Sequence, residues 1–408
     1  MRGMPKMKTR EVLSKFHISQ VTLSEWSKRG GLKLNRDIRG HYIWDYESLN
    51  NLEKYIMERK SKNQGYSKET TNHLEVQIQN RRYLGAKSRL LDFIQNVVDE
   101  HTDNVNSVAD IFGGTGVVAN HFYQQGHKVI VNDILDSNYI NYLTFFGQEP
   151  VNDDKIRNIL HRMNNVDVKN NYVSDNYGDK YFSKENAMKI GEARSIIERE
   201  TKLSHRERAI LMTSLIYAMD KVANTVGHYD AYRRVMDSLT PIYFRMPAYN
   251  KDHKTDTLIY HEDANLLVRN ISTDLIYIDT PYNSRQYGDV YHVLENIVNW
   301  NMPDLYGVAM KPKNRSNTKS LYSTARAPIA FNDLISNITA KYILVSYNNM
   351  AHKGSGRSNA KISNEEIIDI LSQRGEVQVY SEDFQVFTTG KTHVDDHKEL
   401  LYLVEVTR

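Results

Sequence analysis

Residues 108–122 read VADIFGGTGVVANHF, an apolar run followed by a glycine-rich turn and a second apolar stretch with helical spacing. Gly113, Gly114 and Gly116 let the backbone turn tightly and approach a ligand, because a Cβ atom there would collide with it. A strand, a glycine turn and a helix in this order predict a nucleotide-binding α/β unit. By spacing alone the loop would also suit a dinucleotide enzyme, although its form is Phe-x-Gly-x-Gly rather than GxGxxG.

Seven apolar runs of strand length, this one included, occur along the chain, and several are followed by helical patterns. They cover residues 107–112, 128–131, 257–260, 275–278, 342–346, 377–380 and 400–406. This alternation predicts an open α/β sheet whose sites lie at the carboxyl ends of its strands. Capping boxes at Ser204 and Ser363 predict helices that run to about Val222 and to Gly375.

Composition limits the possible classes of protein. The 408 residues, 40% of them apolar and 25% charged, indicate a globular protein with more than one folding unit. No run approaches the roughly 20 apolar residues of a membrane span, and the first residues lack the apolar core of a secretory signal. With no cysteine in the chain, disulfides, thiolate metal sites and a cysteine nucleophile are excluded, and a cytoplasmic location is expected. His393 and His397 lack the glutamate of an HExxH motif, so no metal site is predicted.

The chain divides into four parts by pattern. Residues 1–58 form a small N-terminal domain, and residues 59–75 form a polar linker. Residues 76–141 and 251–408 carry the α/β pattern. Residues 142–250 interrupt it with a helical, polar and tyrosine-rich segment, which we interpret as an insert.

The N-terminal domain has apolar positions spaced for two short helices across residues 9–30, followed by a basic hairpin and a third helix in residues 32–56. This pattern resembles the winged helix-turn-helix of the MerR and excisionase type, with residues 19–28 as the recognition helix. The resemblance places three basic residues on the wing, where they would contact DNA phosphates: Arg36, Arg39 and His41. A three-helix module that docks onto another protein is the alternative.

Two further acids follow predicted strands. Asp133 can accept hydrogen bonds from two ribose hydroxyls, which is the usual way of binding a nucleoside, and Asp263 could contact an adenine amino group. A net charge of only +3 means that any affinity for nucleic acid must come from local patches.

Four motifs, in this order along the chain, resemble those of the D12 class of DNA N6-adenine methyltransferases. They are Tyr83–Lys87 (YLGAK), Phe112–Gly116 (FGGTG), Asn132–Asp133 (ND) and Asp279–Tyr282 (DTPY). The resemblance covers about residues 80–141 and 255–408 and touches residues 218–234. It implies a Rossmann-like, seven-stranded S-adenosylmethionine-dependent methyltransferase sheet, with residues 142–250 as the target-recognition insert.

The resemblance also implies the ligands and the setting of the enzyme. The cofactor would be S-adenosyl-L-methionine, and the substrate would be an adenine flipped out of double-stranded DNA. Such enzymes belong to restriction-modification systems, so a cognate restriction endonuclease encoded nearby is an expected partner, and no membrane is.

Roles for individual residues follow from the resemblance. Tyr83 and Lys87 would hold the methionine end of the cofactor, the loop with Phe112, Gly114 and Gly116 would pass beneath it, and Asp110, Asp133 and Asp263 complete the cofactor-binding set. The alternative for Lys87 is a solvated surface cation.

At the DTPY motif the amino group of adenine must become a better nucleophile. The Asp279 carboxylate and the carbonyl oxygen of Thr280 would accept its two hydrogens, while Pro281 stiffens the loop and Tyr282 stacks on the flipped base. The family pattern is Asp-Pro-Pro-Tyr, and Thr280 departs from it, which puts the rigidity of the loop in doubt rather than the chemistry. A capping role for Asp279 is the structural alternative.

Four cations downstream are candidate DNA contacts: Arg285, Lys311, Lys313 and Arg315. The last three lie in a basic run, KPKNRSNTKS, which a solvated surface would equally explain. Two other functions remain open: N-methylation of RNA or of a protein glutamine, and a MerR-like regulator with an inactive methyltransferase fold.

Overall fold

The computed structural model describes residues 75–251, 255–282, 284–348, 360–383 and 398–407. It also describes scattered positions nearer the N-terminus, namely residues 9, 12, 13, 23, 27, 32, 34–37, 41–44, 48, 51 and 52. The chain splits into two compact units, Met1–His73 and Leu74–Arg408. Of the predicted linker, residues 59–75, only the last residue is described.

The described part of the larger unit contains nine strands. They are β1 (Ser107–Asp110), β2 (Lys128–Asn132), β3 (Thr257–Tyr260), β4 (Thr273–Ile278), β5 (Leu305–Tyr306), β6 (Lys311–Pro312), β7 (Ala340–Asn348), β8 (Val377–Asp383) and β9 (Lys398–Glu405). Seven of them form one sheet in the order β3-β2-β1-β4-β7-β9-β8, and β5 and β6 form a separate hairpin.

Five neighbouring strands of this sheet, β3, β2, β1, β4 and β7, are parallel to one another. Strand β9 lies between β7 and β8 and is antiparallel to both. All seven predicted strands are present, so the prediction of a seven-stranded α/β methyltransferase-like sheet is confirmed. Successive residues of β1 and β4 are buried on opposite faces, which is why these strands have nearly continuous apolar sequences.

Twelve α-helices flank the strands in the described part of this unit. They are α1 (Leu91–His101), α2 (Val117–Gln124), α3 (Asp136–Phe146), α4 (Asp153–Asn164), α5 (Tyr172–Tyr177), α6 (Lys184–Arg199), α7 (His205–Val222), α8 (Ala264–Leu267), α9 (Tyr287–Val290), α10 (His292–Asn299), α11 (Ala327–Ser336) and α12 (Asn364–Leu371). Helices α1 to α7 and α10 contribute to the core on one face of the sheet, and α8, α11 and α12 to the core on the other. None of the described helices is both long enough and apolar enough to cross a membrane.

The segment predicted as an insert, residues 142–250, begins within α3 and contains α4 to α7. Its buried side chains, such as Ile159, Ile190 and Leu215, belong to the same hydrophobic core as Val108 of β1. The segment therefore builds one face of the sheet's own core instead of forming a separate one. The capping box at Ser204 opens a helix that ends at Val222, as predicted.

The second capping box, at Ser363, opens α12 as predicted, but this helix ends at Leu371 and not at Gly375. Gly375 lies against the carbonyl oxygen of Glu405, where a Cβ atom would collide. The chain has to leave the helix early in order to bring β8 alongside β9.

In the smaller unit, Val12, Leu23, Leu32, Trp44 and Leu52 form a small buried cluster. The backbone amide of Asp37 donates to the carbonyl of His41, and that of Ile43 donates to Asn35, so residues 35–37 pair antiparallel with residues 41–43. The predicted recognition helix is described only at residues 23 and 27, and Arg39 lies outside the described residues.

Candidate active site

A cavity opens at the carboxyl ends of β1, β2 and β4. It is lined by eleven of the twelve residues predicted to bind the cofactor or to act in catalysis: Tyr83, Lys87, Asp110, Phe112, Gly114, Asp133, Asp263, Asp279, Thr280, Pro281 and Tyr282. The twelfth, Gly116, lies just behind them and precedes the first residue of α2. Parallel strands bring these residues together because their carboxyl ends meet at one edge of the sheet.

The glycine loop between β1 and α2 is shaped by two aromatic rings. Gly114 and Gly116 have φ of 54° and 80°, in the left-handed region that favours glycine. A Cβ atom on Gly114 would lie 3.0 Å from Cε1 of Tyr83, and the Tyr142 hydroxyl donates a 2.8 Å hydrogen bond to the Gly114 carbonyl. The loop is therefore held between Tyr83 and Tyr142, and its residues Gly113 and Gly114 line the cavity.

Asp133 follows β2 and supports the same loop. Its carboxylate accepts hydrogen bonds from the amides of Gly114 and Leu135, both at 2.9 Å. Burial raises the pKa of Asp133, and these hydrogen bonds oppose that rise. Asn138 donates a third hydrogen bond to this carboxylate, which leaves one of its four lone pairs for a hydroxyl group of a ligand.

Asp110, the last residue of β1, is almost completely buried. Burial raises the pKa of Asp110 to about 8, and the charge of Asp279 adds to the rise. The amide of Ala119 donates to one oxygen at 3.2 Å, while the other oxygen has no hydrogen-bond partner among the described residues. At neutral pH this group is mostly protonated, and it offers the cavity a hydrogen-bond donor.

Asp263 lies on the exposed rim of the cavity, where one of its oxygens caps α8 by accepting from the amides of Asn265 and Leu266. Its second oxygen is not part of that cap.

A buried network of hydrogen bonds fixes the YLGAK loop. The guanidinium of Arg81 donates to Asp220 of α7 and to Asn138 of α3, and Asn138 in turn donates to the Tyr83 hydroxyl at 3.1 Å. The Tyr83 ring stacks on Tyr291, with centroids 4.6 Å apart and planes only 3° from parallel. The helical segment thus fixes the loop that carries Tyr83 and Lys87, a connection that the sequence did not reveal.

Lys87 is buried, which excludes the alternative of a solvated surface cation. Its ammonium lies 3.2 Å from Oδ1 of Asp279 and 2.6 Å from Oε1 of Glu399. Burial lowers the pKa of Lys87, but the charges of Asp279 and Glu399 outweigh this effect and hold the pKa well above its ordinary value. Two of its three protons are engaged by these carboxylates, and one remains for a ligand.

Asp279 follows directly after β4 and is not a helix cap. Burial raises the pKa of Asp279 to about 6, although Lys87 lowers it. Lys87 contacts Oδ1, which leaves Oδ2 for another donor.

Thr280 and Tyr282 complete the motif. Thr280 is buried, and the amide of Lys361 donates to the Tyr282 carbonyl at 3.1 Å. The half-buried Tyr282 ring meets the edge of Tyr347, with centroids 6.1 Å apart. These contacts hold the loop at Tyr282, two residues after the position at which Thr280 replaces a proline of the family pattern.

The cavity is closed on another side by residues 316–323, which sequence reasoning missed. The side-chain amide of Gln286 both donates to the Ser320 carbonyl, at 3.0 Å, and accepts from the Ser320 amide, at 2.7 Å. Gly288 packs against Thr318 so closely that a Cβ atom would collide with it. Thr318, Ser320 and Tyr322 thereby face the cavity. No local sequence signal marks these contacts, because they join separate segments.

Two of the predicted DNA-contacting cations form ion pairs within the protein. Lys311 lies 2.8 Å from Asp230, and Arg315 pairs with Asp289. These pairs connect the β5–β6 hairpin and the residues after it to Asp230 and Asp289. A phosphate would therefore have to compete with these carboxylates for the two cations. DNA contact by these two residues remains a prediction.

The remaining predicted cations are more accessible. Lys313 is exposed, and Arg285 is exposed with its guanidinium 3.3 Å from Nε2 of His228. In the smaller unit, Arg36 donates to the Tyr42 hydroxyl at 2.9 Å and lies over that ring.

Comparison with known proteins gives a family. The model of the D12 class N6 adenine-specific DNA methyltransferases matches residues 83–357. This match begins beyond the N-terminal unit, so it lends no support to the winged helix-turn-helix.

Relatives agree with this match. The modification methylase StsI of Streptococcus sanguinis is 35% identical over 311 residues, which is 72% of this chain and 46% of StsI. The type II methyltransferase M.FokI of Planomicrobium okeanokoites is 32% identical over 324 residues, 73% of this chain and 48% of M.FokI. The type II methyltransferase M.NlaIII of Neisseria lactamica is 28% identical over 347 residues, 80% of this chain and 99% of M.NlaIII.

The chain thus spans about half the length of StsI and M.FokI. The family match confirms the prediction of S-adenosyl-L-methionine as the cofactor. The observed sheet, the cavity at its carboxyl edge and the family match agree: this chain belongs to the D12 class N6 adenine-specific DNA methyltransferases.

Proposed function

We propose that this protein transfers a methyl group from S-adenosylmethionine to N6 of an adenine flipped out of double-stranded DNA, as the modification enzyme of a restriction-modification system. The observation that carries the proposal is the placement of Asp279 in the cavity. Its carboxylate stands beside a buried ammonium and next to the Tyr282 ring, with one oxygen left for a substrate donor.

The residues of the cavity suit the cofactor. Asp110 presents an oxygen without a partner among the described residues, and Gly113 and Gly114, which have no side chains, line the cavity. Asp133 would hold the ribose, Asp263 the adenine ring, and Tyr83 with the remaining proton of Lys87 the methionine end. When bound, the sulfonium supplies an already activated methyl group.

The chain's own residues prepare the amino group. The N6 lone pair of adenine is delocalised into the ring, so the amine is a poor nucleophile. Asp279 and the carbonyl oxygen of Thr280 accept hydrogen bonds from its two N–H groups, which shifts electron density back onto N6, and the one proton that N6 loses on methylation can pass to Asp279. The Tyr282 ring stacks on the base and stabilises the positive charge that develops there.

The N-terminal unit and the segment of residues 142–250 are assigned roles in DNA binding. For the N-terminal unit we propose a winged helix-turn-helix, with Arg36 on its wing, that supplies extra base contacts or acts as an operator-binding regulator. The helical segment would recognise the target sequence, while Lys313 would contact a phosphate and Arg285 the base pocket or the DNA backbone. A cytoplasmic location and a cognate endonuclease remain predictions.

Methyl transfer to separate acceptors tests the proposal. The protein is incubated with labelled S-adenosylmethionine and, in parallel, unmethylated bacterial genomic DNA, total RNA and a protein mixture. We expect label only in DNA, as N6-methyladenine after hydrolysis, and none with Asp279→Ala. Label confined to RNA or protein would contradict the proposal, and its absence from every acceptor would favour a regulator with an inactive methyltransferase fold.

Sequencing the methylated DNA then gives the target site. A variant with Arg36→Ala and Arg39→Ala tests the N-terminal unit. Unchanged sites and an unchanged KM for DNA would leave transcriptional regulation as its better explanation.

A further inference from the structure

Glu399 stands close to the reacting groups although none of the motifs contains it. It lies near the start of β9, beyond the residues that the family model matches, and only 5% of its surface is exposed. Its Oε1 accepts hydrogen bonds from the ammonium of Lys87 at 2.6 Å and from the hydroxyl of Ser346 at 3.0 Å. Ser346 belongs to the neighbouring strand β7, so the sheet fixes the orientation of the carboxylate.

Lys87 therefore lies between two carboxylates. Its ammonium is nearer to Glu399, at 2.6 Å, than to Asp279, at 3.2 Å. An isolated buried Lys–Asp pair would have no net charge. The positive charge of the ammonium would then make the aspartate a weaker hydrogen-bond acceptor for other donors. With a second carboxylate on the lysine, the cluster keeps one net negative charge in a site largely shielded from water, where charges act strongly.

We propose that Glu399 is a positioning residue for methyl transfer, which holds the Lys87 ammonium beside Asp279 and offsets its charge, so that the Asp279 carboxylate stays a strong hydrogen-bond acceptor for the amino group of the flipped adenine. This inference rests on the proposed function and adds to it a residue from the last strand of the sheet. Glu399 acts through Lys87 and touches neither substrate nor cofactor in this role.

The charges around Asp279 predict how its titration depends on Glu399. The titratable groups that face Asp279 are Lys87, Glu399, Asp110, Tyr277, Tyr282 and Tyr287. Burial raises the pKa of each of the three tyrosines, so they stay neutral near pH 7. Burial also raises the pKa of Asp279 to about 6, Lys87 lowers it, and the charge of Glu399 raises it. Removing the charge of Glu399 should therefore lower the pKa of Asp279.

The rate of methyl transfer gives the first test. Single-turnover rates on unmethylated bacterial genomic DNA are measured from pH 5 to pH 9 for wild type, Glu399→Gln and Glu399→Asp. We expect Glu399→Gln to lower the maximal single-turnover rate roughly 10–100-fold, as the loss of a charged hydrogen bond does. The acid limb of the pH–rate profile, where the rate falls as Asp279 is protonated, should move to lower pH. Glu399→Asp keeps the charge with a shorter reach, so its acid limb should stay near that of wild type and its rate should be partly restored.

Glu405→Gln is the matched control, because Glu405 is an exposed carboxylate at the far end of the same strand. It should leave both the rate and the pH profile unchanged. A Glu399→Gln profile like that of wild type would overturn the proposal, and so would a loss of rate without a shift of the acid limb, since a merely structural role predicts that result. Glu399→Asp decides the question if the glutamine variant does not fold.

A second measurement does not depend on methylation. In protein with ¹³C-labelled lysine, the Cε signal of Lys87, assigned with Lys87→Arg, should report a titration near pH 6 that disappears in Asp279→Asn. In Glu399→Gln the same transition should move to lower pH, and an unmoved transition would overturn the assigned charge arrangement. If wild type methylates no DNA, the proposed function fails, while this titration still decides whether Glu399 controls Asp279.

Discussion

The guanidinium of Arg81 and the carboxylate of Asp220 form an ion pair, with 3.1 Å between Nε and Oδ2, in which both side chains are shielded from solvent. The hydroxyl of Tyr229 donates to the other oxygen of Asp220 at 2.9 Å. The pair joins α7 to the chain just before Tyr83. Through it the helical segment contributes to the cofactor pocket without lining it.

Breaking this pair should destabilise the protein. Asp220→Asn leaves the Arg81 charge buried without compensation, so we expect the free energy of unfolding to fall by about 3–5 kcal/mol, measured by urea denaturation. Asp333→Asn removes the acidic partner of the exposed pair with Arg269, at 2.7 Å, and should cost about 1 kcal/mol or less. Equal losses in the two variants would contradict the structural role of the buried pair.

The ring of Tyr282 should matter more than its hydroxyl. Tyr282→Phe keeps a surface for base stacking, and we expect its kcat on unmethylated genomic DNA to stay within about threefold of wild type. Tyr282→Ala removes the surface and should lose roughly 10–100-fold, since stacking contributes about 1–3 kcal/mol per base. If phenylalanine were as damaging as alanine, the stacking role would be wrong.

Asp110 should make stability depend on pH. Its ordinary pKa is 3.8, and in the folded protein burial raises this pKa to about 8. Between these values the folded state holds a proton that the unfolded state has lost, so the contribution of Asp110 to stability falls as pH rises from about 4 to about 8 and is constant above that.

Asp110→Asn mimics the protonated form and removes this dependence. At pH 9 we expect its free energy of unfolding, measured by urea denaturation, to exceed that of wild type by roughly 1–3 kcal/mol. At pH 4 the two proteins should differ little. An equal difference in stability at both pH values would show that charge burial is not the cause.

The contact between Gly288 and Thr318 should control the wall of the cavity. Gly288→Ala places a methyl group against Thr318, so residues 316–320 must shift, and we expect a loss of about 1–3 kcal/mol together with a raised KM for DNA. Adding Thr318→Gly should restore part of the loss, because it removes the side chain that collides. Additive effects of the two substitutions would contradict direct contact.

Local signals allowed much of the fold to be predicted. The seven strands and the helix from Ser204 to Val222 follow from apolar runs and capping boxes, which depend on neighbouring residues. The order of the strands and the shared core of residues 142–250 depend on long-range packing, which no local pattern encodes. For this reason the end of α12 was misplaced, and the core that residues 142–250 share with the sheet was not foreseen.

In the predicted site, too, local signals were sufficient for some features, while others depend on contacts between distant segments. The motif residues gather in one cavity because each follows a strand or a glycine turn. The partners of Lys87 were not foreseen, since Glu399 lies 312 positions further along the chain. The ion pairs of Lys311 and Arg315 likewise join distant segments.

The position of β9 in the sheet has a consequence for synthesis on the ribosome. β9 is the last strand of the sheet to be translated, yet it lies between β7 and β8. Until it emerges, the nascent chain exposes the unpaired edge of β7, a surface prone to pair with other chains and suited to chaperone capture. Over the same interval Lys87 lacks its hydrogen bond to Glu399, so the buried charge cluster beside Asp279 is completed only when the last strand joins the sheet.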